Sequence, residues 1–570
     1  MRKDQLGRAT WLLSILVLAS PMLLLGIGRG KKKPVKEAAA EEQHESPEVA
    51  SMINQVITSE NLYSVKLERF SPRIETYVQY YQPDNELGDV ATSDATFLGR
   101  LKFEGEAREI SFVPTVTPDW FRRHTPHPTR VLGSKPHLQM DSFALEALAV
   151  DRHHFDRQHY TFDPVRWEYL GDVRCLAIDV RPRQNEEMGA FQGRIWVEDH
   201  DFAVVRMNGT RVRPPKGSFY LHFDCWRENL LPGLWLPVYV YSQENDLGKA
   251  LRYKSETRFW GYDLSAAHTQ QECTAVQVDA PAPIRDSSEH SADLTPVESA
   301  RHLNMEAEQN VLDRLERARL IAPPGPVDKV LATVVNNLRV TNHLDRLPPV
   351  QCRVMMTSTL ESFSLAYTII LSRGLIDVLP DEASLAMVLS HELAHIALGH
   401  KLDPKFAFND RLIVSDEQLL SLLDFGRPQA DEVAADAKGI EFLKSSPYKD
   451  NLAQAGLFLR AATEAAPHIP HMFGAHIGNG LLEGKNKMIR MESLTSSAPE
   501  LKARSVDQIS ALPLGSRLQV NAWDGSVVFT DRKAVALVDA GEKMPFRVTP
   551  LIPYLKSYSA RTKSAESAKN

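Results

Sequence analysis

Cysteine is scarce: there are four in 570 residues, Cys175, Cys225, Cys273 and Cys352, and no two form a CxxC pair. This excludes a zinc ribbon and a dithiol redox motif. None lies near the N-terminus, so a lipid-modified cysteine anchor is excluded there. An excess of basic residues is missing too. Lys and Arg number 66 against 73 Asp and Glu, a formal charge of −7, and no nucleic-acid partner is expected.

What is present is a globular composition, 43% hydrophobic and 24% charged, in a chain too long for one ordinary core. The basic start "MRKDQLGR" precedes an apolar run over residues 9–28. That run is long enough for a signal peptide and close to the about 20 residues that span a bilayer. Gly26 and Gly28 offer a small-x-small cleavage pattern, whereas "RGKKKPVK" places positive charge where translocated segments avoid it. Residues 1–30 therefore read as a signal peptide or a signal anchor. The chain is expected to be exported to the cell envelope or periplasm, and membrane-anchored if the segment is retained. Residues 31–60, with "EAAAEEQHESPE", read as a solvated linker.

From residue 61 to 265 the hydrophobic period is mostly two, as in "CLAIDVRPR", "GRIWVEDHDFAVVRMNGT" and "LWLPVYVYSQEN". Such alternation with Asp, Asn and Gly turns predicts a meandering antiparallel sheet, with a hairpin around residues 199–201. Its apolar face suits a lipid or an extended peptide, and equally a covering helix. Cys175 and Cys225 sit in strand-like segments and could bridge in an oxidising compartment; plain buried thiols fit as well. Residues 266–294 are polar, Pro-containing and unpatterned, a second linker.

A helix follows, with a capping box from Thr295 to Glu298 and Pro296 at its first position. After "APPGP" comes a second amphipathic helix, "VDKVLATVVNNLRV"; "QCRVMMTST" and "AYTIILS" read as strands. Pro380 and Asp381 then start a helix apolar on all sides, hence buried. In its middle stands "SHELAHIALGHK". Burying such titratable groups without partners costs several kcal/mol. His391 and His395 are four apart and share one face, a spacing that suits two nitrogens on a tetrahedral zinc ion. Glu392 lies at the edge of that face, where a carboxylate can take a proton from a zinc-activated water. His400, nine positions from His391, falls on the opposite face and is not read as a ligand. The third ligand is expected from another helix. "ADEVAADAKGIEFL" offers Glu432, with Asp436 four residues on to orient a ligand imidazole. Glu417 and Asp424 are alternatives that lack this arrangement.

The pair "AYTIILSRGLIDVLPDEASLAMVLSHELAHIALGH" and "EVAADAKG" resembles the HtpX and CAAX-protease type of zinc metallopeptidase, metallopeptidase family 48, over about residues 327–504. The resemblance implies a gluzincin-type peptidase with one zinc per chain on His391, His395 and Glu432, and Glu392 as base. It also implies an edge strand near residues 366–372 that pairs with the substrate backbone. Three departures stand out. "ESFSLAY" replaces a glycine-rich turn, Arg427 is the nearest arginine before the second motif, and Ala498 stands where histidine is common, with Arg504 retained. The β-rich region resembles the half-barrel of LolA-like lipoprotein carriers, which implies envelope localisation and a hydrophobic cavity.

The expected architecture is thus multidomain. It has an antiparallel β-rich, possibly half-barrel, domain at 61–265, an α+β gluzincin-type domain at 295–505, and a small β appendage with a disordered tail at 506–570. The expected function is a zinc endopeptidase acting on envelope or unfolded proteins. Alternatives are a lipid- or lipoprotein-binding protein, or a chaperone-like envelope protein with a non-catalytic zinc site.

Overall fold

Alternating burial along the first half of the chain builds a single ten-stranded sheet in the computed structural model. Its strands are β1 (Arg73–Asp84), β2 (Gly88–Glu104), β3 (Glu106–Ser111), β4 (Tyr160–Leu170), β5 (Val173–Pro182), β6 (Phe191–Glu198), β7 (Val204–Arg211), β8 (Leu221–Leu231), β9 (Leu234–Glu244) and β10 (Tyr253–Trp260). The spatial order is β3-β2-β1-β10-β9-β8-β7-β6-β5-β4. Every pairing is antiparallel, so two meanders join where β10 returns to β1. The hairpin expected at 199–201 joins β6 to β7. Buried Glu198 holds it by accepting the backbone N–H groups of His200, Asp201 and Ala203.

The structure describes residues 46–85, 88–104, 106–112, 145, 147–183, 189–212, 221–244, 253–264, 296–400, 423, 425–483, 488–502, 517–521, 525–530 and 546–558. The apolar run at 9–28, residues 31–45, the 266–294 linker, Thr295, Cys273, Glu417, Asp424, Arg504 and the final tail lie outside them. Residues Ala50–Asn570 form one compact unit; of the other, Met1–Val49, only the last four residues are described. Among the described residues no helix is long and apolar enough to cross a membrane.

Both faces of the inner strands are buried, whereas edge strand β4 leaves Val165, Trp167 and Tyr169 exposed, and the period of two sorts the buried residues between two cores. Leu176 and Ile178 of β5 join Ile195, Met207 and Phe223 on one face; Cys175 and Ala177 join Trp196, Val205 and Trp226 on the other. The first face is covered by α1 (Pro47–Leu67), a helix that begins in the stretch read as linker, residues 31–60, and runs into the start of the expected β-rich region. Ile53, Val56, Glu60, Tyr63 and Leu67 recur at helical spacing and form its buried stripe. The covering helix is therefore the arrangement found. Cys175 and Cys225 face opposite cores from β5 and β8, with β6 and β7 between them, so they cannot bridge; both are free thiols.

The second face packs on the helical half of the chain in one continuous core with α2 (Pro296–Arg317) and α3 (Pro326–Thr341). Beyond α3 lies a four-stranded mixed sheet of β11 (Gln351–Met355), β12 (Glu361–Leu365), β13 (Thr368–Ser372) and β14 (Asn479–Gly480), ordered β11-β13-β12-β14. Strand β13 lies between β11 and β12. The edge strand expected at 366–372 is therefore an inner one. "ESFSLAY", read as a replaced turn, supplies β12 and a two-residue hairpin in which Ala366 takes a positive φ of 48°.

After β13 come α4 (Arg373–Val378) and α5 (Glu382–Leu398), the latter capped by the Asp381 side chain on the Ser384 N–H. Then follow α6 (Gln429–Lys444), α7 (Leu452–Ala465) and α8 (Pro470–Phe473). Two hairpins complete the chain: β15 (Leu482–Glu483) with β16 (Met488–Ile489), and β17 (Leu518–Val520) with β18 (Val527–Phe529).

Polar contacts stitch the sheet to the helical half. Glu75 of β1 accepts from the backbone and hydroxyl of Ser358 and from Arg373. The Gln79 side chain bonds the carbonyl of Phe546 and the N–H of Val548, while the Phe546 ring packs on Phe458 and Phe473. Residues 546–548 are therefore held by both halves.

Candidate metal centre

Helix α5 has no polar face. Residues 383–396 are all buried, so His391, Glu392 and His395 are carried into the interior by their neighbours. Helix α6 lies against it. A Cβ at Gly439 would meet the Met491 side-chain tip and press at 3.2 Å on the backbone of Ser390 and His391, so glycine allows the tightest approach here. The contact brings Glu432 to the two histidines. One donor atom from each of His391, His395 and Glu432 lies within 4.8 Å of the others, and all three residues are buried.

Each donor is oriented from behind. The Nδ1 of His391 is 2.7 Å from Asp436 Oδ1, and the other Asp436 oxygen accepts the Met491 N–H. A proton on Nδ1 leaves the Nε2 lone pair pointing at Glu432 Oε2, 3.1 Å away, and at His395 Nε2, 3.0 Å away. The Nδ1 of His395 is 2.9 Å from His400 Nδ1. Gly399 ends α5 with φ of 73°, and this turn folds His400 back against His395. His400 is not among the convergent donors, but it does not point away as its helical spacing predicts. Asn479 donates to Glu432 Oε1 at 2.9 Å.

These residues fit a zinc ion. Two imidazole nitrogens and a carboxylate oxygen converge with lone pairs facing one another. Without a cation or shared proton that arrangement is repulsive, and the donor set is one zinc takes. A purely structural ion would need no base beside it, yet Glu392 is there. Its Oε1 accepts from Ser362 Oγ at 2.7 Å and from Arg490 Nη1 at 3.0 Å, while Oε2 is buried with no hydrogen-bond partner among the described residues. Burial pushes the Glu392 carboxyl up, but the Arg490 guanidinium and the two imidazoles more than offset it and hold it below the usual range. Glu432 is held well below that range. Burial opposes this, and the adjoining His391 and His395 imidazoles, then the Arg490 guanidinium, outweigh it.

Sequence reasoning named His391, Glu392, His395, Glu432 and Asp436, and the fold brings all five together. It missed Ser362, Asn479 and Arg490. A lone arginine between apolar residues in "KMIRM" is the only signal Arg490 carries. Arg427, noted as displaced, is buried and donates through Nη2 to the carbonyl and hydroxyl of Ser364 on β12. Ala498 is buried against the Gly456 position of α7.

Residues 351–407 match the family description "Peptidase family M48". The match spans β11 to α5, includes His391, Glu392 and His395, and ends before Glu432. The match covers this segment alone and supports a metallopeptidase hydrolase. None of the curated proteins matches the chain. Among solved structures, the chain is similar to a LolA superfamily protein from Nitrosomonas europaea at 13% identity, covering 37% of this chain and 92% of that one, with a TM-score of 0.19. It is also similar to a DUF1329 family protein from Desulfovibrio piger at 9% identity, covering 38% and 92%, with a TM-score of 0.20.

Proposed function

We propose that this protein is a zinc-dependent endopeptidase of the cell envelope that cleaves envelope or unfolded proteins. The observation that carries the reading is the unpartnered Oε2 of Glu392 beside three convergent donors. The envelope assignment is supported by the basic start and apolar run of residues 1–30. No lipid is assigned to the ten-stranded sheet: α1 covers one face and the helical half packs on the other, although edge strand β4 leaves Val165, Trp167 and Tyr169 exposed.

His391, His395 and Glu432 would hold the zinc, oriented by Asp436, His400 and Asn479. When bound, zinc supplies a Lewis acid that activates water and polarises a carbonyl. The chain's residues do the rest. Glu392 receives the proton at Oε2 while Ser362 and Arg490 fix Oε1, so the base is held in one rotamer. Burial of the centre excludes bulk water and strengthens these contacts. Strand β14 pairs with β12 at Glu361 and Ser362, and so seats Asn479 against Glu432.

The test is zinc stoichiometry of the full-length protein beside His395→Ala. About one zinc per chain, lost in the variant, together with cleavage of an unfolded protein, supports the reading. Well-folded protein without zinc sinks it.

A further inference from the structure

Arginine is the side chain least tolerant of being buried without acceptors, and Arg427 is buried that way. It is 7% exposed; Nη2 is used on Ser364, while Nε and Nη1 have no hydrogen-bond partner among the described residues. Glu392, Glu432, Glu308 and Asp431 are near enough to act on its charge, yet none forms an ion pair with it. Arg490, 8% exposed, is in the same state at one atom: Nη1 serves Ser362 and Glu392, and Nη2 has no partner. Buried polar atoms are ordinarily satisfied, and exceptions call for a ligand or a function.

The two arginines are placed in register. Arg490 reaches β12 at Ser362 and Arg427 at Ser364, two residues along the same strand, about 6.6 Å. Both serines point to one side of β12, and Ser362 is the residue that touches the base. Free guanidinium donors thus begin at the base and continue one dipeptide step along the strand edge. Such donors match a carboxylate in shape and charge.

We propose that Arg427, assisted by Nη2 of Arg490, forms a carboxylate subsite, so that the preferred substrates carry a carboxylate within one or two residues of the bond cut. The carboxylate comes from an Asp or Glu side chain or from the C-terminus of the substrate chain. This rests on the peptidase reading above and deepens it.

The experiment uses full-length zinc-loaded protein and matched peptides differing only in Glu against Gln near the cleaved bond, or in a free against an amidated C-terminus. Two readouts are taken: kcat/KM ratios for the active protein, and Kd ratios for the Glu392→Gln variant by fluorescence anisotropy. A charge-assisted contact in a buried site predicts a preference of about ten- to a hundredfold for the carboxylate member of one pair. The pair that responds identifies the source. Arg427→Met collapses the ratio towards one and Arg427→Lys retains part of it; a merely structural role would lower both members together. Equal handling of both members by the unaltered protein overturns the proposal, whether or not any variant folds. So does a preference that survives Arg427→Met. Arg427-dependent binding without cleavage of any peptide keeps the subsite and removes the peptidase reading. Cleavage without preference does the reverse.

Discussion

Glu60 and Glu392 are both fully buried and both meet an arginine, but only one pair is closed. Glu60 takes two bonds from Arg227, at 2.7 and 2.8 Å, and a third from the Val150 N–H. Arg227 adds the carbonyls of Val204 and Leu148 and lies on the Tyr63 ring, leaving only Nε without a bond. Around Glu392 the count is different: one carboxylate oxygen, one nitrogen of Arg490 and two of Arg427 are left over. The first cluster pins α1 to the sheet. The second is a solvation shell left incomplete among the described residues. What separates structure from function here is the atoms left unbonded, since the burial is the same.

Substituting the two glutamates should separate these roles sharply. Glu392→Gln takes one of two carboxylates from Arg490, which keeps Glu432, so the denaturation midpoint falls, but by less than in Arg227→Met. Peptide hydrolysis falls by about 10²–10⁴-fold, the range for losing a general base. Arg227→Met leaves Glu60 buried and unpaired, which costs about 3–5 kcal/mol of stability, while zinc content per folded chain stays at that of the unaltered protein. Replacing both partners, Glu60→Leu with Arg227→Met, recovers most of that loss. A large stability loss in Glu392→Gln would erase the distinction.

A smaller effect probes the layer behind the ligands. Asp436 bonds the Nδ1 of His391 and the N–H of Met491 and touches no other donor of the centre. Asp436→Ala is expected to weaken zinc binding by about 10–100-fold in a competition titration against a chelator. Unchanged affinity would mean that His391 keeps its tautomer without help.

How much of this was legible depends on the range of the interaction. An all-apolar helix around "HELAH" and an acid pair among alanines are local patterns, and they located five residues of the centre. Neighbour relations are not local. Nothing in "TIILS" says that β13 lies between two strands, and nothing near Arg490 says that a hairpin returns it to Glu392. His400 was misplaced because helical spacing was extended through Gly399, whose left-handed turn ends it. The α1 stripe from Ile53 to Leu67 was readable, but the charged stretch before it hid the helix.

The smallest expected effect concerns Asp94, a carboxylate of β2 that is closed in the manner of Glu60. It accepts from the backbone and Nδ1 of His471, the N–H of Met472 and the hydroxyl of Tyr77, and so fastens α8 to the sheet. The side-chain bond to Asp94 raises the His471 pKa above its ordinary 6.5, with burial opposing. The sign follows from linkage. A raised folded-state pKa contributes stability that is fully present below pH 6.5 and is lost as pH rises through the folded value. His471 is partly exposed, so solvent screens the pair and the contribution is small. His471→Gln should therefore lower the melting temperature at pH 6, and the gap to the unaltered protein should narrow by pH 9, with zinc content unchanged throughout. A gap independent of pH would assign the whole effect to the neutral hydrogen bond, and Asp94 would then hold α8 through the backbone groups alone.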